Sequence, residues 1–277
     1  MVAQLLPASE QMLLQNSQMD FATIRARQQQ HIRRVHILAP ALCRIIQGHK
    51  ILHWQQQALK VTSSDLLLFP AGAVVDIENH PEQQLYKAEI VSFPLPLIHQ
   101  YQLMRQAHAG TLQPSAPVIT SLSMPITSEL DFCWQTLTHS IQQPLSWPVQ
   151  QHFAQGLLLA LEGSVLLENL LVIEQHQLRH KLQQLFLREC GLDWKLADAA
   201  HWLHLGESTI RRKLAEEGSS FRQVLDEVRF TVALGMVQTT DLPISRVAEH
   251  CGYESASRFA VKFKSMYGIS PSELRIN

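Results

Sequence analysis

The sequence predicts an α+β protein of two units: a β-barrel unit carrying trailing helices, then an all-helical unit. Three observations carry that reading. The last hundred residues hold two copies of one helix-turn-helix pattern. Residues 33–93 break into short apolar runs separated by turn-forming residues. Residues 127–170 place their apolar side chains at helical spacing. With 277 residues, 46% of them hydrophobic, and a net charge of −1, the chain is long enough for two cores.

In the first half, the apolar runs are 35–38, 42–46, 51–54, 66–69, 74–77 and 86–93. Between them lie Gln47-Gly48-His49, Thr62-Ser63-Ser64-Asp65, Pro70-Ala71-Gly72 and Asn79-His80-Pro81, which read as turns. Short strands at this spacing predict a small antiparallel barrel or sandwich over about 20–110. Beyond Pro114 the pattern turns helical. Ser128 is the expected cap of the series Leu130, Cys133, Trp134, Leu137 and Ile141, and Pro148 opens a second helix running through Leu157 to Leu161. Leu158, Leu161, Leu166 and Leu170 form an apolar edge, read as packing on the barrel rather than as a dimer seam. The expected boundary follows, giving units 1–170 and 174–277.

The second unit is the more informative. Its first copy runs from Leu196 through Ala200 to a turn at His204-Leu205-Gly206 and a second helix from Glu207 to Glu216. Its second copy runs from Ile244 through Ala248 to Cys251-Gly252-Tyr253 and a helix from Ser255 to Ser265. The crossing residues lie 248 − 200 = 48 apart and the turns 252 − 204 = 48 apart. A small residue is needed where two helices cross closely, and the turn needs a residue tolerant of positive φ. Ala200 and Ala248 meet the first demand; Gly252 and, less readily, His204 meet the second. Leu205, Ile210 and Leu214, and then Tyr253, Phe259 and Phe263, supply the buried faces. The opposite faces carry Ser208, Arg211, Arg212 and Lys213 in one copy, and Ser257, Arg258, Val261, Lys262 and Lys264 in the other. Between the copies, Phe221, Val224, Leu225, Val228 and Val232 predict one stiff helix, which sets the separation of two reading heads on one duplex.

Charge supports this only locally. From residue 190 onward there are eleven Lys plus Arg and eleven Asp plus Glu, so affinity for DNA would come from arrangement and not from bulk basicity. The four cysteines, Cys43, Cys133, Cys190 and Cys251, lie far apart without a Cys-x-x-Cys pair, which argues against a disulfide framework or a zinc ribbon and for buried thiols in a reducing cytoplasm. Residues 1–15 lack the basic start and apolar stretch of a secretion signal. The apolar stretch 156–173 is interrupted by Glu162, Glu168 and Asn169, so no membrane span is expected. His49 with His53, His176 with His180, and His201 with His204 have helical or hairpin spacing but no further ligands, so no metal or other cofactor is expected. No nucleophile, base and carboxylate set is legible, and the chain reads as no enzyme, with no catalytic residues.

The stretch from Asp193 to Arg275 resembles the DNA-binding domain of AraC/XylS-type bacterial transcription regulators. The resemblance rests on 196–200, on the block Arg211-Arg212-Lys213-Leu214-Ala215-Glu216-Glu217-Gly218-Ser219-Ser220-Phe221, on Asp226-Glu227-Val228-Arg229, and on 244–253. Its most specific part is Ser257-Arg258-Phe259-Ala260-Val261-Lys262-Phe263-Lys264, followed by Tyr267-Gly268-Ile269-Ser270-Pro271. The resemblance implies that Glu207, Ser208, Thr209, Arg211, Arg212 and Lys213 form one DNA-reading set. It places the second set at Ala256, Ser257, Arg258, Ala260 and Val261, with phosphate contacts from Lys262 and Lys264. Many relatives carry Arg where this chain has Val261, so the second unit is expected to read bases less strictly.

The resemblance further implies a cupin-like barrel that senses a small-molecule effector, helices that pair subunits into a homodimer, double-stranded promoter DNA and RNA polymerase as partners, and a cytoplasmic location. Some similar virulence-associated regulators hold fatty acids on basic side chains; Arg25, Arg33, Arg34, Lys50 and Lys87 are the candidates for that role here. The competing reading is a cupin-like binding or catalytic module whose helical half docks to another protein.

Overall fold

The computed structural model describes residues 18–109, 121–172 and 178–276. Expectations for residues 1–17, Pro114, Ile173 and His176, and the boundary at 173–177, fall outside those residues. Among the described residues, nine strands form two antiparallel sheets. The first has the order β1 (Asp20–Ala26), β8 (Tyr86–Ser92), β3 (Ala41–Gln47), β6 (Asp65–Phe69), β9 (Ser123–Pro125). The second has the order β2 (Gln30–His36), β7 (Val74–His80), β4 (His49–Trp54), β5 (Gln57–Val61).

The barrel expectation needs correction, because the two sheets do not close on each other. Every link between consecutive strands except β4–β5 and β8–β9 carries the chain from one sheet to the other, yet β1, β9, β2 and β5 each pair on one side only and remain edges. Closure would require those edges to pair with one another across the sheets, and among the described residues β1 pairs only with β8 and β2 only with β7. The sheets form a sandwich; Cys43, Ile45, Leu67, Tyr86 and Ala88 of the first sheet point inward and Leu42, Leu68 and Val91 point to its other face, all fully buried. Gly48, at φ +79, makes the β3–β4 turn; a Cβ there would stand 2.4 Å from the His80 carbonyl oxygen, so no other residue fits.

Helices follow. α1 (Leu95–Ala109) leaves the sandwich, and α2 (Ser128–Ile141) packs against α3 (Trp147–Ala160). The α2 cap is Thr127 rather than Ser128; its hydroxyl accepts from Leu130 N at 3.2 Å. In α3 and α4 (Val165–Leu171), Leu158, Leu161, Leu166 and Leu170 are buried in the same core as the sheets.

The last third comprises α5 (Leu178–Arg188), α6 (Leu196–Leu203), α7 (Glu207–Glu216), α8 (Phe221–Thr239), α9 (Ile244–His250), α10 (Ala256–Tyr267) and α11 (Pro271–Ile276). It is served by two cores. The first helix-turn-helix unit packs with α5 around Phe186, Ile210, Leu214 and Val224, joined by Leu38. The second unit, with Phe230, Phe259, Phe263, Tyr267 and Leu274, belongs to the core of the sandwich. Contacts of α8 with β1 and β2, and of α10 with β2, make that continuity.

Candidate nucleic-acid interface

Both helix-turn-helix units are built by the same local devices. The backbone N–H of Leu205 reaches the carbonyl of Ala200 at 3.0 Å, and that of Tyr253 reaches Ala248 at 2.9 Å. These bonds close the turn over the crossing residue at the same 48-residue interval. The turn residues adopt positive φ in both copies, 53° at His204 and 77° at Gly252. The second turn then carries one additional residue, because α7 begins at Glu207 and α10 at Ala256. Buried Ile210 and Leu214 therefore correspond to Phe259 and Phe263, and Arg211 and Arg212 correspond to Ala260 and Val261. Of the two reading helices, only α10 has a side-chain cap, Ser255 Oγ accepting from Arg258 N at 3.3 Å.

The outward faces differ in chemistry. On α7, Glu207, Ser208, Arg211, Arg212 and Lys213 are exposed and Thr209 is half-buried. Arg211 and Arg212 lean on Glu207 (3.5 Å) and Glu216 (2.6 Å) along the helix. Exposed pairs of this spacing are worth about 0.3–0.5 kcal/mol, so they orient the guanidinium groups without withholding them from a ligand. On α10, Ser257, Arg258 and Val261 are exposed, Val261 to 72%, and Ala256 and Ala260 are half-buried. Arg258 has no acidic partner among the described residues. Lys262 is differently placed from the sequence expectation. Its ammonium bonds Asp226 of α8 at 2.7 Å and lies over the Phe230 and Tyr253 rings, which ties it to the strut. Lys264 faces Glu273 at 3.4 Å in the open.

The strut is α8, whose 19 residues span about 28 Å at 1.5 Å per residue. Ser220 caps it, accepting from Gln223 N. Buried Arg229 projects from its middle and donates to the carbonyls of Cys190 (2.9 Å) and Leu192 (2.9 Å), so the segment entering the first unit is fixed to the strut. Beside it, a cavity of about 710 Å³ opens between the units, lined by Arg222, Arg229, Arg258 and Lys262 on the basic side and Asp193, Glu249 and Glu254 on the acidic side. Sequence reasoning did not single out Arg222 or Arg229 as site residues. The only sequence sign of Arg229 was a charge in the middle of an otherwise apolar helical stripe.

The five candidate effector residues are not gathered at one place. Arg25 and Lys87 sit opposite each other on β1 and β8, with Lys87 facing Glu89 at 3.7 Å. Arg33 and Arg34 occupy the bulge of β2, where the Arg33 stem lies against Gly268 at the end of α10 and Arg34 N donates to Asp76. Lys50 alone is buried. Its ammonium lies 5.4 Å from the Tyr86 ring centre and donates to Asn79 Oδ1 at 2.7 Å. Burial pulls its pKa down to about 8. Asn79 in turn donates to Gln30 Oε1 (3.0 Å), and Gln30 donates to the carbonyl of Leu274 in α11 (3.1 Å). A buried polar string thus runs from the sandwich interior to the last helix.

A second seam contact centres on His36, 3.5 Å from Arg179 and 4.0 Å from Glu227. Arg179 also bonds Glu227 at 2.8 Å. Of the histidines weighed as ligands, His53 pairs with Glu78 at 2.8 Å and His49 with Glu82 at 3.2 Å. Among the described residues no group of three or more His, Cys, Asp or Glu is arranged to hold a metal ion, and no helix is long and apolar enough to cross a membrane.

Comparison with known proteins agrees with this architecture. A family profile described as an AraC-like ligand binding domain matches residues 18–186, and one described as a helix-turn-helix domain matches residues 199–277. The chain belongs to the AraC-type family of transcription regulators, with a ligand-binding-type first half and a helix-turn-helix second half. The HTH-type transcriptional regulator GadX of Escherichia coli O6:H1 is 34% identical over 113 residues, 41% of this chain and 41% of GadX. The porin thermoregulatory protein EnvY of Escherichia coli K12 is 32% identical over 138 residues, 48% of this chain and 54% of EnvY. The matched segment thus spans about half or less of each of these relatives. Among solved structures, ToxT of Vibrio cholerae superposes with a TM-score of 0.67 at 15% identity, over 93% of this chain and 98% of that one. A second ToxT structure, with an unsaturated fatty acid bound, gives 0.62 at 15% identity, over 93% and 95%. At that identity the likeness is one of fold.

Proposed function

We propose that this chain is a sequence-specific regulator that binds double-stranded promoter DNA and answers to a small-molecule effector held by its N-terminal unit. The observation that carries the DNA reading is the repeated unit itself: two helices, each seated by the same turn hydrogen bond, each with an outward polar face. The first reading face is Glu207, Ser208, Thr209, Arg211, Arg212 and Lys213. The second is Ala256, Ser257, Arg258 and Val261, with Lys264 at its rim and Lys262 bracing it from behind.

A bidentate Arg–guanine contact discriminates by about 1–3 kcal/mol. The first unit, with Arg211 and Arg212, therefore carries most of the base reading, and the second, with Arg258 alone, carries less. The units divide near 170–174, although buried apolar contacts continue across that line.

Lys50 is the anchor proposed for an anionic effector, a fatty acid being one instance. It is a buried ammonium whose only hydrogen-bond partner among the described residues is an amide oxygen, and a carboxylate would satisfy it better. RNA polymerase is the protein partner this role requires, a homodimer is compatible with it, the cytoplasm is the compartment, and no catalytic step is assigned.

The test is fluorescence anisotropy against a set of promoter fragments at two salt concentrations. Specific sites should bind about 10³ to 10⁷ times more tightly than random duplex. Arg211→Ala and Arg212→Ala should each weaken specific binding by about 1–3 kcal/mol. Equal affinity for every fragment, or unchanged binding in both variants, would overturn the assignment.

A further inference from the structure

Two of the four cysteines meet at the seam between the helix-turn-helix units. Cys190 follows α5, and Cys251 caps the C-terminus of α9, 61 residues later in the sequence. The backbones around them are in direct contact. A Cβ on Gly191 would stand 2.5 Å from the His250 carbonyl oxygen, and one on Gly252 would stand 2.7 Å from the Gly191 carbonyl oxygen. Glycine at both positions lets the two segments touch, and this brings the flanking thiols together. The Cys190 thiol donates to the His250 carbonyl oxygen at 3.6 Å, and the Cys251 thiol is near enough to Cys190 to act on its ionisation. Arg229 holds the arrangement from the side, its guanidinium bound to the carbonyls of Cys190 and Leu192.

We propose that Cys190 and Cys251 form a peroxide-oxidisable dithiol, a modification site that joins the scaffolds of the two DNA-reading units. The two sulfurs are unequal in the way such a pair needs. The neighbouring Cys251 thiol, against the opposing effect of burial and helped by the Arg229 charge and backbone N–H groups, holds the Cys190 thiol below its usual range. The proximity of Cys190 and burial raise the Cys251 thiol, which stays protonated. Gly191 and Gly252, the chain neighbours of the two cysteines, and Arg229 line the cavity of about 710 Å³; Cys190 retains 5% exposure and Cys251 none. Cys43, fully buried in the sandwich with its thiol pushed up to about 11 by burial, has neither the activation nor the partner.

The chemistry balances with a hydroperoxide as oxidant. The Cys190 thiolate attacks one peroxide oxygen, the O–O bond breaks, and the leaving hydroxide takes a proton to become water, or an alcohol if the peroxide is organic. The sulfenic acid so formed at Cys190 is then attacked by the Cys251 sulfur. The S–S bond forms, the S–O bond breaks, and the hydroxyl leaves as water with the Cys251 proton. Overall two thiols lose two electrons and two protons, hydrogen peroxide becomes two waters, and a dithiol reductant reverses the change. The cross-link ties the end of α5 to the end of α9 and so removes freedom from the spacing of the reading heads.

The experiment uses the full chain. Reduced protein is exposed to a small excess of hydrogen peroxide, unfolded in iodoacetamide and mapped by mass spectrometry. The expected result is loss of two of four alkylatable thiols, with tryptic peptides 189–195 and 247–258 joined, and full recovery after dithiothreitol. The oxidised protein should also melt several degrees higher than the reduced one. In Cys251→Ser, Cys190 should accumulate as a sulfenic acid trapped by dimedone. Four alkylatable thiols after a dose that oxidises glutathione in the same tube would overturn the proposal, and so would a cross-link through Cys43 or Cys133. Because wild-type protein supplies the decisive map, poor folding of the variant leaves the outcome readable.

Discussion

Replacing Gly252 by alanine should cost far more than the equivalent change in the first unit, and the structure says how much. At φ +77 a side chain enters the left-handed region, at about 1–2 kcal/mol. The new Cβ would stand 2.6 Å from an Arg229 terminal nitrogen and 2.7 Å from the Gly191 carbonyl oxygen. One of these must yield, and the yielding group is Arg229, whose hydrogen bond to Leu192 is a charged one worth about 1.5–3 kcal/mol. The sum is a loss of about 2.5–5 kcal/mol. His204, at φ +53, is exposed and already carries the strain. His204→Gly relieves it while adding freedom to the unfolded chain, and the two nearly cancel, to within about 1 kcal/mol. Urea unfolding followed by far-UV circular dichroism at neutral pH measures both. A loss below 1 kcal/mol in Gly252→Ala, or a larger loss in His204→Gly than in Gly252→Ala, would refute the account of the paired turns.

Three further outcomes are expected. Burial, with Arg179 and Arg34, holds His36 at about 4 against an ordinary 6.5; the unfolded chain therefore takes up this proton first, and stability should fall by about 3 kcal/mol as pH drops from 6.5 to 4. Glu227, raised by burial, offsets part of that loss; His36→Asn should flatten the urea midpoint over this window, and parallel curves for variant and wild type would count against the assignment. Gln30→Leu strands the Leu274 carbonyl and the Asn79 amide, at about 1–3 kcal/mol for each buried group, and a cycle with Lys50→Met should show at least about 0.5 kcal/mol of coupling; strict additivity would mean the string does not act as one network. Lys213→Ala should flatten the salt dependence of DNA binding by about one unit, whereas Lys262→Ala, already neutralised by Asp226, should leave the slope nearly unchanged; equal slopes in the two variants would be the contrary result.

The helical third was largely legible because its determinants are local. Crossing alanines, turn residues and apolar spacing lie within a few residues of one another, and the repeat doubled each of them. The extra residue in the second turn was overlooked, although the buried faces read from the sequence carry it, Ile210 lying five residues after Leu205 and Phe259 six after Tyr253. The sandwich was read in part. Strands β1 and β5 lack an apolar run, because β1 is an edge with partly exposed residues and β5 an exposed edge. Sheet closure depends on which edges meet, a non-local matter that run length does not encode. Lys50 was named among five cations, but its burial was not foreseen, because alternation places it only once β7 supplies Asn79. The meeting of Cys190 with Cys251 was likewise hidden by a sequence separation of 61.

The unequal sharing of cores has a consequence for anyone who cuts this protein apart. A fragment beginning near residue 174 keeps the first reading unit whole, for its cluster is nearly self-contained apart from Leu38. The same fragment strips Phe230, Phe259, Phe263 and Leu274 of the neighbours that β1 and β2 provide. Isolated C-terminal pieces should therefore be sticky on one side only, and grafts onto a foreign sensor will succeed to the extent that the new host offers an oily sheet of matching shape.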